Sequence, residues 1–223
     1  NVSEYEKFCD TFKFTETPDQ ERVIREVIAD LLSDKPQDRL ICGEVGFGKT
    51  EVALRASFIV AQNDYQVCIL APTTVLAKQH FEVFKERFSE FPYRICLLTR
   101  EQTKAEKAEI YKKIKENYFS IIIGTHALFN KEISFMNLNL LIIDEEHKFG
   151  VRQKEQIRSL KNGINVISLS ATPIPRTLNL SLSKVRDISL ITTPPTGRKS
   201  VKTIVSRYSK SLVFEAIQRE FYR

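Results

Sequence analysis

The sequence predicts an α/β domain with a mainly parallel sheet covered by helices on both faces. Three observations predict it. Short β-branched runs alternate with longer helical patterns along the 223 residues, the order expected of a doubly wound parallel sheet. Strand runs such as Leu140-Leu141-Ile142-Ile143 are apolar without interruption, which suits strands buried on both faces. A short apolar run, Asp38–Cys42, leads into a glycine-rich turn and then a helical pattern over Glu51–Ala61. In such sheets ligands bind beyond the carboxyl ends of the strands.

Residues 1–17 read as a leading segment. Thr17-Pro18-Asp19-Gln20 fits a capping box with Pro at the first helical position. It opens a helix over Pro18–Leu32 in which Val23, Ile24, Val27, Ile28 and Leu31 share one apolar face. Strands follow at Arg39–Cys42, Gln66–Leu70, Arg94–Leu98, Ser120–Ile123, Leu140–Ile143, Asn165–Leu169 and Ile188–Ile191. Between them helices are predicted over Lys49–Gln62, Thr74–Ser89, Lys104–Glu116, Val151–Leu160 and Pro175–Leu182. Thr192–Arg198 is a linker by composition. Val201–Val205 then reads as a strand and Leu212–Phe221 as a helix. These last two lack partners for a core. The expected division is a domain over 18–193, then a linker and the truncated start of a second domain over 194–223. The chain begins at Asn1, so it reads as an excised piece whose native N-terminus is missing.

A net charge of +6 favours a polyanionic partner without specifying one. Cys9, Cys42, Cys68 and Cys96 form no C-x-x-C pair, and three of them fall in apolar runs as small core residues. A reducing cytoplasm is expected. No apolar run approaches the ~18 residues of a membrane span, so no membrane partner is expected.

Gly43-Glu44-Val45-Gly46-Phe47-Gly48-Lys49-Thr50 spells G-x-x-x-x-G-K-[ST], a phosphate-binding loop in the strand–loop–helix setting that the motif requires. Its glycines let backbone N–H groups turn toward a triphosphate. Lys49 reaches the β- and γ-phosphates, and the Thr50 hydroxyl holds Mg²⁺. Downstream, Leu140–Ile143 runs into Asp144-Glu145-Glu146-His147. Asp144 suits the Mg²⁺ site opposite Lys49 and Thr50. Glu145 suits orienting or deprotonating the attacking water. ATP and Mg²⁺ are the implied cofactors. The only histidines are His80, His126 and His147, widely spaced, which argues against a transition-metal site. His147 fits better as a hydrogen-bonding residue beside the acidic turn.

Taken together, Gly43–Thr50 and Asp144–His147 resemble the first motor domain of superfamily 2 helicases and translocases. Further stretches resemble that superfamily's motifs in order: Thr17–Gln20, Ala71–His80, Gly124-Thr125-His126 and Ser170-Ala171-Thr172. Ser170–Thr177 and Phe149-Gly150-Val151-Arg152 resemble the RecG-like group. Within it, Phe47 and Glu146 resemble the transcription-repair coupling factors (the Mfd family) more than RecG, which stays as the alternative.

The resemblance implies a RecA-like P-loop NTPase fold and an ATP-dependent double-stranded DNA translocase. It implies that Gln20 contacts adenine. Capping the helix competes for the same side chain, which has few bonds to give. Phe12 and Phe14 lie where a base could stack, with core packing the other reading. Thr73, Thr74, Gln79, Thr125, His126 and Arg152 would contact or track DNA, with Lys78 and Arg100 as weaker cationic candidates. Ser170 and Thr172 would pass the nucleotide state to the DNA-facing loops. RNA polymerase and excision-repair proteins would bind through modules outside these residues. The superfamily's arginine finger comes from a second RecA-like domain of the same chain, so the isolated piece is expected to be nearly inactive. Two readings from other classes are weaker. A P-loop phosphotransferase would carry a lid and an acceptor pocket, and neither is visible. An inactive nucleic-acid-binding module would lack Lys49 or Glu145, and both are present.

Overall fold

The structure is a computed structural model that describes residues 2–172, 186–198 and 203–222. Its centre is a seven-stranded sheet in the order β3-β4-β2-β5-β6-β1-β7. The strands are β1 (Asp38–Gly43), β2 (Gln66–Leu70), β3 (Ile95–Leu98), β4 (Ile121–Gly124), β5 (Leu138–Asp144), β6 (Asn165–Ser170) and β7 (Asp187–Ile191). Every pairing is parallel, so all seven carboxyl ends lie at one edge. The helices are α1 (Val2–Asp10), α2 (Pro18–Leu31), α3 (Lys49–Gln62), α4 (Thr74–Arg87), α5 (Lys104–Lys115), α6 (Val151–Leu160) and α7 (Lys210–Phe221).

The apolar runs of the central strands are covered on both faces. One core joins Val67, Ile69, Ile121, Ile123, Leu140 and Ile142 to α1, α2, α3 and α4. The other joins Cys68, Leu70, Ile122, Leu141 and Ile143 to α5 and α6. Alternate residues of a strand point to opposite faces, so β2, β3, β4, β5 and β6 serve both cores, while β1 and β7 contribute Ile41 and Ile191 to the first.

Helix starts follow local chemistry. Thr17 caps α2 and Thr103 caps α5, each closing a full capping box, an arrangement worth about 1 kcal/mol per cap. Element ends agree with the sequence reading to within about two residues, the range over which helix ends fray.

Two differences stand out. The leading segment contains a helix, α1, that was not expected. Tyr5, Phe8, Cys9 and Phe12 sit at helical spacing, so the signal was present but short. Phe8 is completely buried and stacks on Phe58 at 4.3 Å between ring centroids. Glu16 pairs with Arg55, which also pairs with Glu51 at 2.9 Å, and Glu51 takes a further bond from Arg87 at 2.8 Å. Residues 2–17 are thereby joined to α3 and α4.

The second difference is the strand expected at Val201–Val205. Its described part, 203–205, is exposed and lies in no strand. A strand needs a partner to satisfy its ladder, and no neighbour pairs with this segment among the described residues. The helix expected at Pro175–Leu182 and most of Ser170–Thr177 lie outside the described residues.

Candidate nucleotide-hydrolysis site

The strand order decides which loops meet. β6 lies between β5 and β1, so Ser170 ends its strand between Asp144 and Gly43. On the other side of β5, Leu70 of β2 is in register with Gly124 of β4. The loop at Pro72–Thr74 therefore leaves the sheet beside Thr125 and His126.

The phosphate loop has the backbone that its glycines permit. Gly46 and Gly48 both sit at φ +81°, in the left-handed region that disfavours a side chain. No side chain caps the start of α3 at Gly48, which leaves its first-turn N–H groups for an anion at the positive end of the helix dipole. Lys49 Nζ lies back on the loop, donating to the carbonyls of Gly43 and Glu44. Burial lowers its pKa, and the nearby Glu145 and Asp144 only partly offset that. Glu44 and Val45 are exposed and Thr50 is half-buried. Phe47 is 7% exposed.

Gln20 is committed to structure on both sides of its amide. Its Oε1 accepts from Thr17 N at 2.9 Å, and its Nε2 donates to the Phe47 carbonyl at 2.9 Å. An adenine contact would have to use what remains of that amide. Phe12 faces the guanidinium groups of Arg55 and Arg87, whereas Phe14 is exposed.

The acidic turn is held from three directions. His80 Nε2 lies 2.9 Å from Asp144 Oδ2. Glu145 adopts a left-handed backbone, φ 50° and ψ 53°, a conformation that costs a non-glycine residue about 1 kcal/mol. Its Oε1 accepts from Ala171 N at 3.0 Å, and His147 Nδ1 lies 3.3 Å from its Oε2. Glu146 accepts from Ser168 at 2.8 Å and pairs with Lys161 and Arg186, each at 3.2 Å. Burial raises the Glu146 pKa, but Lys161, Ser168 and Arg186 outweigh it and the net shift is downward. Glu146 is therefore structural, which its sequence position alone did not reveal. Ser170 and Thr172 share a hydrogen bond of 2.6 Å.

The donor set fits a nucleoside triphosphate with Mg²⁺. An open helix start and Lys49 suit the phosphates. The Thr50 hydroxyl and the Asp144 carboxylate are hard oxygen ligands of the type Mg²⁺ selects. Glu145 stands beside them as the candidate base.

The expected DNA-facing residues divide. Thr73 and Gln79 are exposed on α4, with Thr73 capping it through Leu76 N at 3.2 Å, and Thr74 is half-buried. Lys78 is already paired with Glu101 at 2.6 Å. His126 and Arg152 are exposed. Thr125 is 2% exposed, and its Oγ1 has no hydrogen-bond partner among the described residues. Sequence reasoning missed His80. It lies inside a motif-like stretch, but its partner is 64 residues away.

The profile of the DEAD/DEAH box helicase family matches residues 17–180. The transcription-repair-coupling factor of Escherichia coli K12 is 47% identical over 220 residues, covering 99% of this chain and 19% of that protein. A chloroplastic ATP-dependent DNA helicase of Arabidopsis thaliana is 52% identical over 218 residues, 97% of this chain and 26% of that one. The chain thus spans 19% and 26% of these two relatives. Among solved structures, RecG bound to a three-way DNA junction superposes with a TM-score of 0.84 at 32% identity, covering all of this chain and 30% of that one.

Proposed function

The chain belongs to the DEAD/DEAH box helicase family, and from that premise we propose that it is the first motor domain of an ATP-dependent double-stranded DNA translocase of the transcription-repair-coupling kind. Identity of 47% to a coupling factor against 32% to RecG supports that assignment. Residues 18–193 form the motor domain, buttressed by 1–17, and 194–223 lead toward a second RecA-like domain. The setting is the cytoplasm. Removal of stalled RNA polymerase and recruitment of excision repair belong to the whole protein.

One observation carries the reading. The Ala171 N–H donates to Glu145 Oε1 at 3.0 Å, so the candidate base is bonded to the Ser170-Ala171-Thr172 segment. A change in the charge or position of Glu145 is felt directly by that segment. Bound ATP with Mg²⁺ supplies the scissile phosphate bond and the charge that the site answers. Lys49 and the start of α3 hold the phosphates. Thr50 and Asp144 hold the metal ion. Glu145 orients the attacking water and accepts its proton. Thr73, Thr74, Gln79, His126 and Arg152 face the DNA.

The test is ATPase turnover of the full-length protein with and without duplex DNA. Stimulation by DNA is expected. It is lost in Glu145→Gln, which keeps an oxygen for Ala171 N but removes the base, at a cost of about 10²–10⁴ in rate. The 223 residues alone, without the second domain's arginine, turn over very slowly. Phosphate transfer to a metabolite, or rapid DNA-stimulated turnover by the 223 residues, overturns the reading.

A further inference from the structure

Arg198 stands after β7, far along the chain from the phosphate loop, yet its side chain lies on that loop. The guanidinium carbon is 4.6 Å from the centroid of the Phe47 ring. Nη2 lies 3.8 Å from Glu44 Oε2. A Cβ built on Gly46 would meet Arg198 Nη1 first, at 3.6 Å. Three residues of the loop, Glu44, Gly46 and Phe47, therefore have the same guanidinium as a neighbour.

The segment that carries Arg198 is held at both ends. Asp19 Oδ2 accepts the backbone N–H and the hydroxyl of Thr192, both at 2.8 Å, and those of Thr193, both at 3.0 Å. A turn then closes with Arg198 N donating to Pro195 O at 3.2 Å, Gly197 taking φ 84°. Asp19 is the neighbour of Gln20, whose Nε2 holds the Phe47 carbonyl. Adjacent residues at the start of α2 thus grip the linker and the phosphate loop.

The Arg198 guanidinium has no close anionic partner on the loop. Its pairing with Glu44 is loose, and Glu44 is two-thirds exposed, so that contact is worth little. A phosphate group offers a planar fork of donors a far better partner, since charge-assisted bidentate bonds are about twice as strong as neutral ones.

We propose that Arg198 is a nucleotide-contact residue supplied by the linker, exchanging Glu44 for the phosphates of a bound nucleoside triphosphate. Filling the loop then fixes the linker that leads away from β7. This deepens the reading of Gly43–Thr50 as an ATP site and rests on it.

The experiment titrates the chain with a fluorescent non-hydrolysable ATP analogue and Mg²⁺, and in parallel follows tryptic cleavage after residue 198. Wild type is expected to bind the analogue, and binding is expected to slow the cleavage. Arg198→Ala should bind about tenfold more weakly. Arg198→Lys, which keeps the charge and the tryptic site but lacks the fork, should fall between and lose most of the protection. Lys49→Ala serves as the reference for a damaged loop. Equal binding by wild type and Arg198→Ala while Lys49→Ala is weakened, or cleavage indifferent to the analogue, overturns the role of Arg198 and leaves the ATP site standing. No binding by wild type overturns the ATP reading itself, and this inference with it.

Discussion

The imidazole of His80 and the carboxylate of Asp144 meet at 2.9 Å, Nε2 to Oδ2. An ionised carboxylate only accepts, so Nε2 carries the proton. His80 lies on α4, which Thr73 caps and Thr74 opens, and Asp144 ends β5. The contact joins the helix proposed to face DNA to the residue proposed to hold the metal ion. His80 is therefore a positioning residue. His80→Ala in the full-length protein should reduce DNA stimulation of ATPase about tenfold, while binding of an ATP analogue in the absence of DNA changes little. Equal loss of basal and stimulated turnover would show a purely local effect on Asp144.

Gln20 separates a structural from a nucleotide role by chemistry. Gln20→Glu keeps an acceptor for Thr17 N but loses the donor to the Phe47 carbonyl. Gln20→Ala loses both. The alanine variant should lose about 1 kcal/mol of stability and a few degrees of Tm. The glutamate variant should keep the cap yet bind the ATP analogue more weakly than wild type, because the loop is no longer held at Phe47. Calorimetric melting and analogue titration give the two readouts.

Asp19 gives a pH dependence with a definite sign. Burial raises its pKa, but hydrogen bonds from Thr192, Thr193 and Arg22 outweigh it and hold the carboxylate well below its ordinary range. A carboxylate with a depressed folded pKa stabilises fully above its unfolded value near ~3.9. That contribution is lost as pH falls further, through the folded value. Asp19→Asn should therefore melt below wild type at neutral pH, and the gap should narrow only in strong acid. A gap that closes between pH 5 and 7 would contradict this.

Phe8 tests whether the leading segment belongs to the fold. It is fully buried and contacts Phe58, Phe88 and Phe91. Phe8→Ala should cost about 3–5 kcal/mol and lower Tm by roughly ten degrees. A change below one kilocalorie would place α1 outside the cooperative unit.

The residues that carry local chemistry were legible in the sequence. Gly43–Thr50 needs its glycines to reach positive φ and its lysine at a fixed spacing, so the motif reports itself. The same holds for the Thr17–Gln20 cap, and for strands whose continuous apolar runs announce burial on two faces. The α1 helix was missed because one short amphipathic stretch with no cap looks like a linker. Of the strand expected at 201–205, the described residues 203–205 are unpaired for the opposite reason: β-branched composition suits a strand, but pairing requires a neighbour.

By itself the sequence determined most of the elements, the parallel sense of the sheet and the chemical groups at the ends of β1, β5 and β6, because backbone preference and side-chain period act over a few residues. Tertiary structure alone decided the pairings. Sheet order placed β6 between β5 and β1, which put Ala171 against Glu145. Packing of α4 brought His80 to Asp144, and the turn after β7 returned Arg198 to Phe47. Each of these contacts joins side chains or loops whose separation along the chain carries no periodic signal. They exist only once the burial of apolar surface on both faces of the sheet has fixed where every loop leaves it.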